Sequence, residues 1–256
     1  CEMKRIERIS PPDCLDNNIE ESRSKKVGFY ENLKDNQGNI YPRWNTTCKD
    51  TDDISRIRKQ LLKMSENSCV FCGIRIDNSG MDVDHYLPKS QFPYLAYCWE
   101  NLLPSCKYCN QTLKKEYVPN ALKGKKIVEI IVSDKFQYDY IYDKQHLLIN
   151  IAKEDRLIDP SFDNPEDHLE FNPEFYFYEA KTEIGKITAN KFFNKHKEVA
   201  EKWESISRFI KAIVLESDNS LRLVSEYIEL SGYKYICLKF YEHWRNEKAS
   251  GRLTAF

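Results

Sequence analysis

No apolar run in this 256-residue chain approaches the ~20 residues that a membrane-spanning helix needs, and the opening Cys1-Glu-Met-Lys-Arg-Ile6 lacks the apolar stretch of a secretory signal. A soluble, cytoplasmic protein is expected. Charge of one sign is also missing: 39 Lys and Arg stand against 40 Asp and Glu, a net charge of −1 at neutral pH. That balance excludes a globally basic coat for DNA, so any nucleic-acid contact must be local or supplied by a partner. Internal repeats and low-complexity tracts are absent. With 41% hydrophobic and 13% aromatic residues the chain can instead bury a real core, as one compact unit with appended layers. Five of its nine cysteines, Cys1, Cys14, Cys48, Cys98 and Cys237, show no pairing pattern, which fits a reducing compartment.

The other four cysteines form two pairs of the same spacing, Cys69-Val-Phe-Cys72 and Cys106-Lys-Tyr-Cys109, separated by 33 residues. Paired x-x spacing repeated in so short a span is a strong metal signal. Four thiolates close a tetrahedral zinc site, and closure would fix the short hairpin between the pairs, so the zinc is expected to be scaffold. Four buried thiols, or a zinc ribbon that only binds, are the plainer readings. Against both stands a set capable of chemistry between and beside the pairs: Asp82-Val-Asp-His85, Asn101 and Asn110.

Asp84-His85-Tyr-Leu-Pro88, Glu100-Asn101-Leu-Leu-Pro104 and Cys109-Asn110 resemble the HNH, or ββα-metal, nuclease motif in its zinc-bound form, over roughly residues 66–118. The resemblance implies that His85 ends the first strand of a hairpin and acts as general base. It implies that Asp84 and Asn110 hold one divalent cation, and that Asn101 orients the loop around the histidine. Asn stands at the third motif position, where many relatives carry His, so Mg²⁺ or Mn²⁺ is expected there in place of a catalytic zinc.

The residue types suit phosphodiester hydrolysis on their own terms, because a water must be made nucleophilic and a leaving oxygen made stable. Adjacent residues of a strand point to opposite faces. Asp84 and His85 can therefore serve one site only at a strand end where the backbone bends, and Tyr86-Leu-Pro88 fits such an exit.

Asn110 to Lys115 reads as the start of the motif's helix. From Lys107 to Lys126 there are six lysines and one acid, a local charge of +5, and Lys107, Lys114, Lys115, Lys125 and Lys126 are the expected phosphate contacts. An ordinary solvated helix face is the alternative. Tyr108 and Tyr117 could stack on bases, with rim packing the commoner use. Residues 154–174 carry eight acids and the single Arg156, a surface that DNA should avoid. His146, His168, His196 and His243 have no ligand-like neighbours and are assigned no chemistry.

The expected fold class is α+β: a zinc-stapled ββα-metal core with mainly helical flanks. Its parts are an N-terminal arm (1–50), extended with a short helix, the nuclease core (51–120) and a helical C-terminal region (121–256). Asp52-Asp53 should cap a helix with Ile54, Ile57, Leu61 and Leu62 on its apolar face. Ile127 to Val132 fits a strand or a short buried helix. Ile187 to Val214 spaces its apolar residues as one amphipathic helix of up to eight turns. A second helix runs from Leu221 to Leu230 and stops at Gly232; Tyr233 to Trp244 is aromatic-rich and ambiguous, with Tyr233, Ile236, Phe240 and Trp244 at helical spacing.

Arg156-Leu-Ile-Asp-Pro160 and Asp163-Asn-Pro-Glu-Asp-His-Leu-Glu-Phe171 extend the likeness along the whole chain, which resembles the HNH endonucleases of retron and Septu-type bacterial antiphage systems. That resemblance implies an ABC/SMC-like ATPase partner and, in a retron setting, a reverse transcriptase with its DNA–RNA product. A free-standing restriction-type or homing-type nuclease, an RNA-cutting effector and a catalytically silent zinc protein that positions DNA are the alternatives. DNA is the default substrate.

Overall fold

The computed structural model describes residues 55–123, 155–217 and 219–253, together with 3, 5–16, 28–29, 32–34, 37–43 and 48–49 toward the N-terminus. Asp52–Ile54, Lys125, Lys126, Ile127–Val132 and His146 lie outside the described residues.

Helix α1 (Arg56–Met64) buries Ile57, Leu61, Leu62 and Met64 along one face. Arg58 on its other side donates to the carbonyls of Asn78 and Met81, which pins the helix to the start of strand β1 (Met81–His85). β1 pairs antiparallel with β2 (Leu102–Cys106) in the register Met81↔Cys106 to His85↔Leu102. A helix wound with π geometry (Tyr108–Lys114) follows β2 after one residue and ends where Lys115 takes a positive φ of 53°. Hairpin plus helix is the expected ββα core.

Strands β3 (Leu169–Asn172) and β4 (Phe177–Ala180) form a second antiparallel hairpin. Four helices complete the C-terminal layer: α2 (Glu183–Phe192), α3 (Lys197–Glu216), α4 (Ser220–Ser231) and α5 (Lys234–Ala249). Thr182 caps α2 by accepting from Gly185 N at 3.2 Å. The expected eight-turn helix is therefore two helices, broken at Phe193–His196. The side chain of Asn194 takes the place of a strand neighbour there, accepting from Tyr178 N at 2.9 Å and donating to Tyr178 O at 2.7 Å. Apolar spacing runs through the break because Phe192, Phe193 and Trp203 all enter one aromatic core with Phe171, Tyr178 and Phe240.

That core reaches the cysteine-rich segment through Phe71, whose ring stacks on Phe192 with centroids 4.3 Å apart. Gly232 ends α4 in the left-handed region (φ 72°), and its carbonyl accepts from Arg75 N at 2.8 Å, so the last two helices are fastened beside the same segment.

Gly185 is fixed by space, not by dihedral: a Cβ added there would lie 2.1 Å from the carbonyl oxygen of His168. Gly185→Ala should therefore push α2 off the β3–β4 hairpin and cost about 1–3 kcal/mol, read as a lower urea midpoint at unchanged m-value.

The N-terminal arm lies on the core through side chains and backbone alike. Met3, Ile6, Leu15 and Leu33 are buried, Trp99 Nε1 donates to Ile9 O, and Ile6 N donates to Pro160 O. Among the described residues of the arm, helical backbone appears as a 3₁₀ turn at Asp13–Leu15 and at Gly28 and Phe29, where Asn32 N donates to Gly28 O at 3.2 Å. Cys14 and Cys48 are joined in a disulfide with Cα atoms 5.7 Å apart. The absence of a pairing pattern in the sequence does not exclude this bond, since the proximity of the two cysteines arises from tertiary packing across 34 residues and leaves no spacing signature.

Candidate functional site

Cys69 and Cys72 sit on a tight turn in which Gly73 N donates to Cys69 O and Cys69 N to Ile74 O, each at 2.8 Å. Gly73 supplies the positive φ of 66° that closes it. Cys106 ends β2 and Cys109 lies in the first turn of the following helix, so strand and helix present the second pair to the first. All four sulfurs lie within 4.8 Å of one another, and Cys72 and Cys106 are 3.7 Å apart. A tetrahedron of zinc–sulfur bonds of about 2.3 Å needs sulfurs separated by roughly 3.8 Å, so donor type, number and spacing fit a zinc ion. A zinc ion held there would tie the hairpin and the π-wound helix at their common end.

His85 and Asp84 stand at the opposite end of β1, with side chains 6% and 2% exposed. His85 Nε2 lies 3.0 Å from the carbonyl oxygen of Ala96. A carbonyl only accepts, so Nε2 carries the proton and the imidazole lone pair is on Nδ1. Burial and the charge of Lys89 hold the imidazole down, to about 3, against the opposing hydrogen bond to Ala96. It is neutral at pH 7, the form a base requires.

Asn101 has no solvent exposure and staples the chain that leaves the strand. Its Oδ1 accepts from Leu87 N at 2.9 Å, while its Nδ2 donates to the carbonyls of Leu87 at 3.0 Å and Leu95 at 3.3 Å. Those contacts hold the 86–96 loop whose Ala96 carbonyl orients the histidine. Tyr86 anchors the same exit by donating to Leu157 O at 2.5 Å.

Asp84, His85, Lys89, Asn110, Gln111 and Lys115 line one open cavity of about 190 Å³. Asn110 Nδ2 donates to Asp82 Oδ2 at 3.1 Å, and Gln111 Nε2 donates to the same oxygen at 2.7 Å. With its amide nitrogen committed to Asp82, the atom through which Asn110 could ligate a cation is its carbonyl oxygen. The carboxylate of Asp84, the amide oxygen of Asn110 and water suit a hard ion such as Mg²⁺ or Mn²⁺. Asp82, named in the sequence only as part of the Asp82–His85 segment and given no role there, holds both amides. The signal was available, because its two-residue spacing from Asp84 puts both on one strand face.

The lysines divide. Lys107 and Lys115 are exposed, whereas Lys114 is 1% exposed and directs its ammonium inward, to Asp84 Oδ1 at 2.9 Å and the His85 carbonyl at 2.7 Å. Lys191, at the end of α2, adds a basic group from 75 or more residues away in sequence. Burial, Lys115 and Lys114 together lower its pKa, and its ammonium lies 5.9 Å from the ring centroid of Tyr117. Tyr108 donates to Glu198 across to α3. The acidic segment is in part internal: Asp163 receives Arg156 Nη2 at 2.8 Å and Asp159 N at 2.8 Å, and Asp159 is fully buried.

Residues 69–116 match the family model described as HNH endonuclease, which takes in both cysteine pairs, Asp84, His85, Asn101 and Asn110. A Septu protein PtuB from Bacillus thuringiensis is 52% identical over 56 residues, 21% of this chain and 22% of that protein. A Septu protein PtuB from Bacillus mycoides (strain KBAB4) is 22% identical over 191 residues, 68% of this chain and 59% of that protein. The chain thus spans less than two thirds of the length of either relative. No solved structure matches it.

Proposed function

We propose, from an HNH endonuclease domain framed by four metal-ready cysteines, that the chain is the effector nuclease of an antiphage system and hydrolyses phosphodiester bonds, DNA by default. The observation that carries this reading is the convergence of His85, Asp84 and Asn110 on one open cavity at the end of β1 farthest from the cysteines. Asp84 and Asn110 would hold one Mg²⁺ or Mn²⁺ ion, which supplies charge stabilisation at the scissile phosphate and the leaving oxygen. The four cysteines would hold zinc as scaffold.

His85 takes the proton of the attacking water on Nδ1 while Nε2–H stays on the Ala96 carbonyl, so the ring keeps its orientation as its charge changes. A phosphodiester in the cavity brings the negative charge that raises the imidazole back toward the range of an effective base. Asn101 acts at one remove, by holding the loop that holds the ring.

Lys107, Lys115 and Lys191 would meet phosphates beside the cut. Changing all three to Gln should flatten the salt dependence of duplex binding by about 0.9 in slope per lost contact. An unchanged slope would leave them as solvated surface.

The finer setting follows the resemblance to Septu-type nucleases and the two PtuB relatives: a cytoplasmic complex with an ABC/SMC-like ATPase that licenses cutting. No helix among the described residues is long and apolar enough to cross a membrane. Cleavage assays on duplex DNA, single-stranded DNA and RNA, with and without that ATPase, test the reading. Cutting of none of the three under any of these conditions would overturn it.

A further inference from the structure

The buried ammonium of Lys114 sits on the carboxylate assigned to the catalytic cation. It donates to Asp84 Oδ1 at 2.9 Å and to the carbonyl of His85 at 2.7 Å, and both members of the ion pair are almost wholly withdrawn from solvent. Lys114 belongs to the π-wound helix that also carries Asn110, while Asp84 and His85 belong to β1. A single side chain thus bridges the two elements that would share the metal.

We propose that Lys114 is a resident counter-ion that keeps the cation site weak until a phosphate enters. This inference rests on the assignment of Asp84 as a cation ligand. A divalent ion on Asp84 would stand within a few ångströms of the ammonium in a cavity walled by protein, where like charges repel far more strongly than in water. An incoming phosphodiester contributes a negative charge that offsets this repulsion. Metal and nucleic acid therefore bind cooperatively, each raising the affinity for the other by the same factor. The free nuclease stays unloaded at ambient Mg²⁺, and the loaded site forms on substrate. Conversely, the ammonium neutralises Asp84 and ties the strand end to the helix while the cation is away, so the site keeps its shape.

The test measures Mn²⁺ affinity by the loss of free-ion electron paramagnetic resonance signal, on zinc-replete full-length protein without nucleic acid. Lys114→Gln should bind Mn²⁺ roughly 10- to 100-fold more tightly than wild type, and Lys114→Arg, which retains the charge, should bind as weakly as wild type. Equal or weaker binding by a folded Lys114→Gln would overturn the proposal and make Lys114 a support of the site. A second measurement needs no variant that might fail to fold. Wild-type Mn²⁺ affinity should tighten at least about tenfold when a phosphorothioate oligonucleotide that resists cutting is added, and no tightening would overturn the proposal. Asp84→Ala separates this failure from failure of the underlying assignment: Mn²⁺ binding and cutting that survive Asp84→Ala would remove Asp84 from the metal site itself.

Discussion

His85→Ala should lower the cutting rate by roughly 10²- to 10⁴-fold while nucleic-acid binding changes little, because a general base acts on the transition state and not on the bound ground state. The geometry sharpens the expectation. The ring reaches the cavity at a strand end, with its proton committed to the Ala96 carbonyl at 3.0 Å, so truncation removes that one hydrogen bond and leaves a void the size of the imidazole beside an open cavity. Fold and zinc content should therefore survive, and single-turnover cleavage with a parallel binding titration checks both halves. Asn101→Ala should act more gently on binding and more broadly on structure, since three hydrogen bonds of a loop depend on it. A His85→Ala protein that cuts at the wild-type rate would remove the base assignment altogether.

Cys69→Ser or Cys106→Ser should have the largest effect on folding. Structural zinc in small sites contributes about 10 kcal/mol or more of apparent folding free energy at neutral pH, which exceeds the net stability of most domains. The sulfurs bring the Cys69–Cys72 turn, the end of β2 and the first turn of the π-wound helix to one point, and Phe71 within that turn stacks on Phe192 of the C-terminal core. Loss of the site should propagate in both directions, giving protein that is depleted in zinc and aggregates. Elemental analysis with a thermal melt decides it. Wild-type protein that is folded and active with far less than one zinc per chain would refute the scaffold role.

The parts legible in the sequence are those whose signal is local. Two Cys-x-x-Cys pairs read as one tetrahedral metal site because that spacing lets both thiols of a pair face a single ion, and α1 and α4 follow from local apolar patterning, while the aromatic-rich run that forms α5 was open to more than one reading. The break between α2 and α3 was hidden because Phe192, Phe193 and Trp203 serve one core from both sides of it, so the apolar rhythm never falters. The Cys14–Cys48 disulfide and the approach of Lys191 to the site depend on tertiary contacts that no spacing encodes. Lys114 is the instructive case within the site. Residues 107–126 read as one basic stretch, yet helical geometry turns Lys114 inward to Asp84 and leaves Lys115 outside, a division of adjacent residues that charge counting cannot make.

The central claim is that phosphodiester hydrolysis takes place in the Asp84–His85–Asn110 cavity with a cation distinct from the zinc. Chelation followed by metal add-back tests it most directly: brief EDTA treatment, desalting, and a cleavage assay on protein whose zinc has been counted before and after. The account predicts that about one zinc per chain is retained, that cleavage is lost, and that Mg²⁺ or Mn²⁺ alone restores it in wild type but not in the His85→Ala, Asp84→Ala double variant. Cleavage that persists after chelation without added cation, or that returns equally in the double variant, would contradict it.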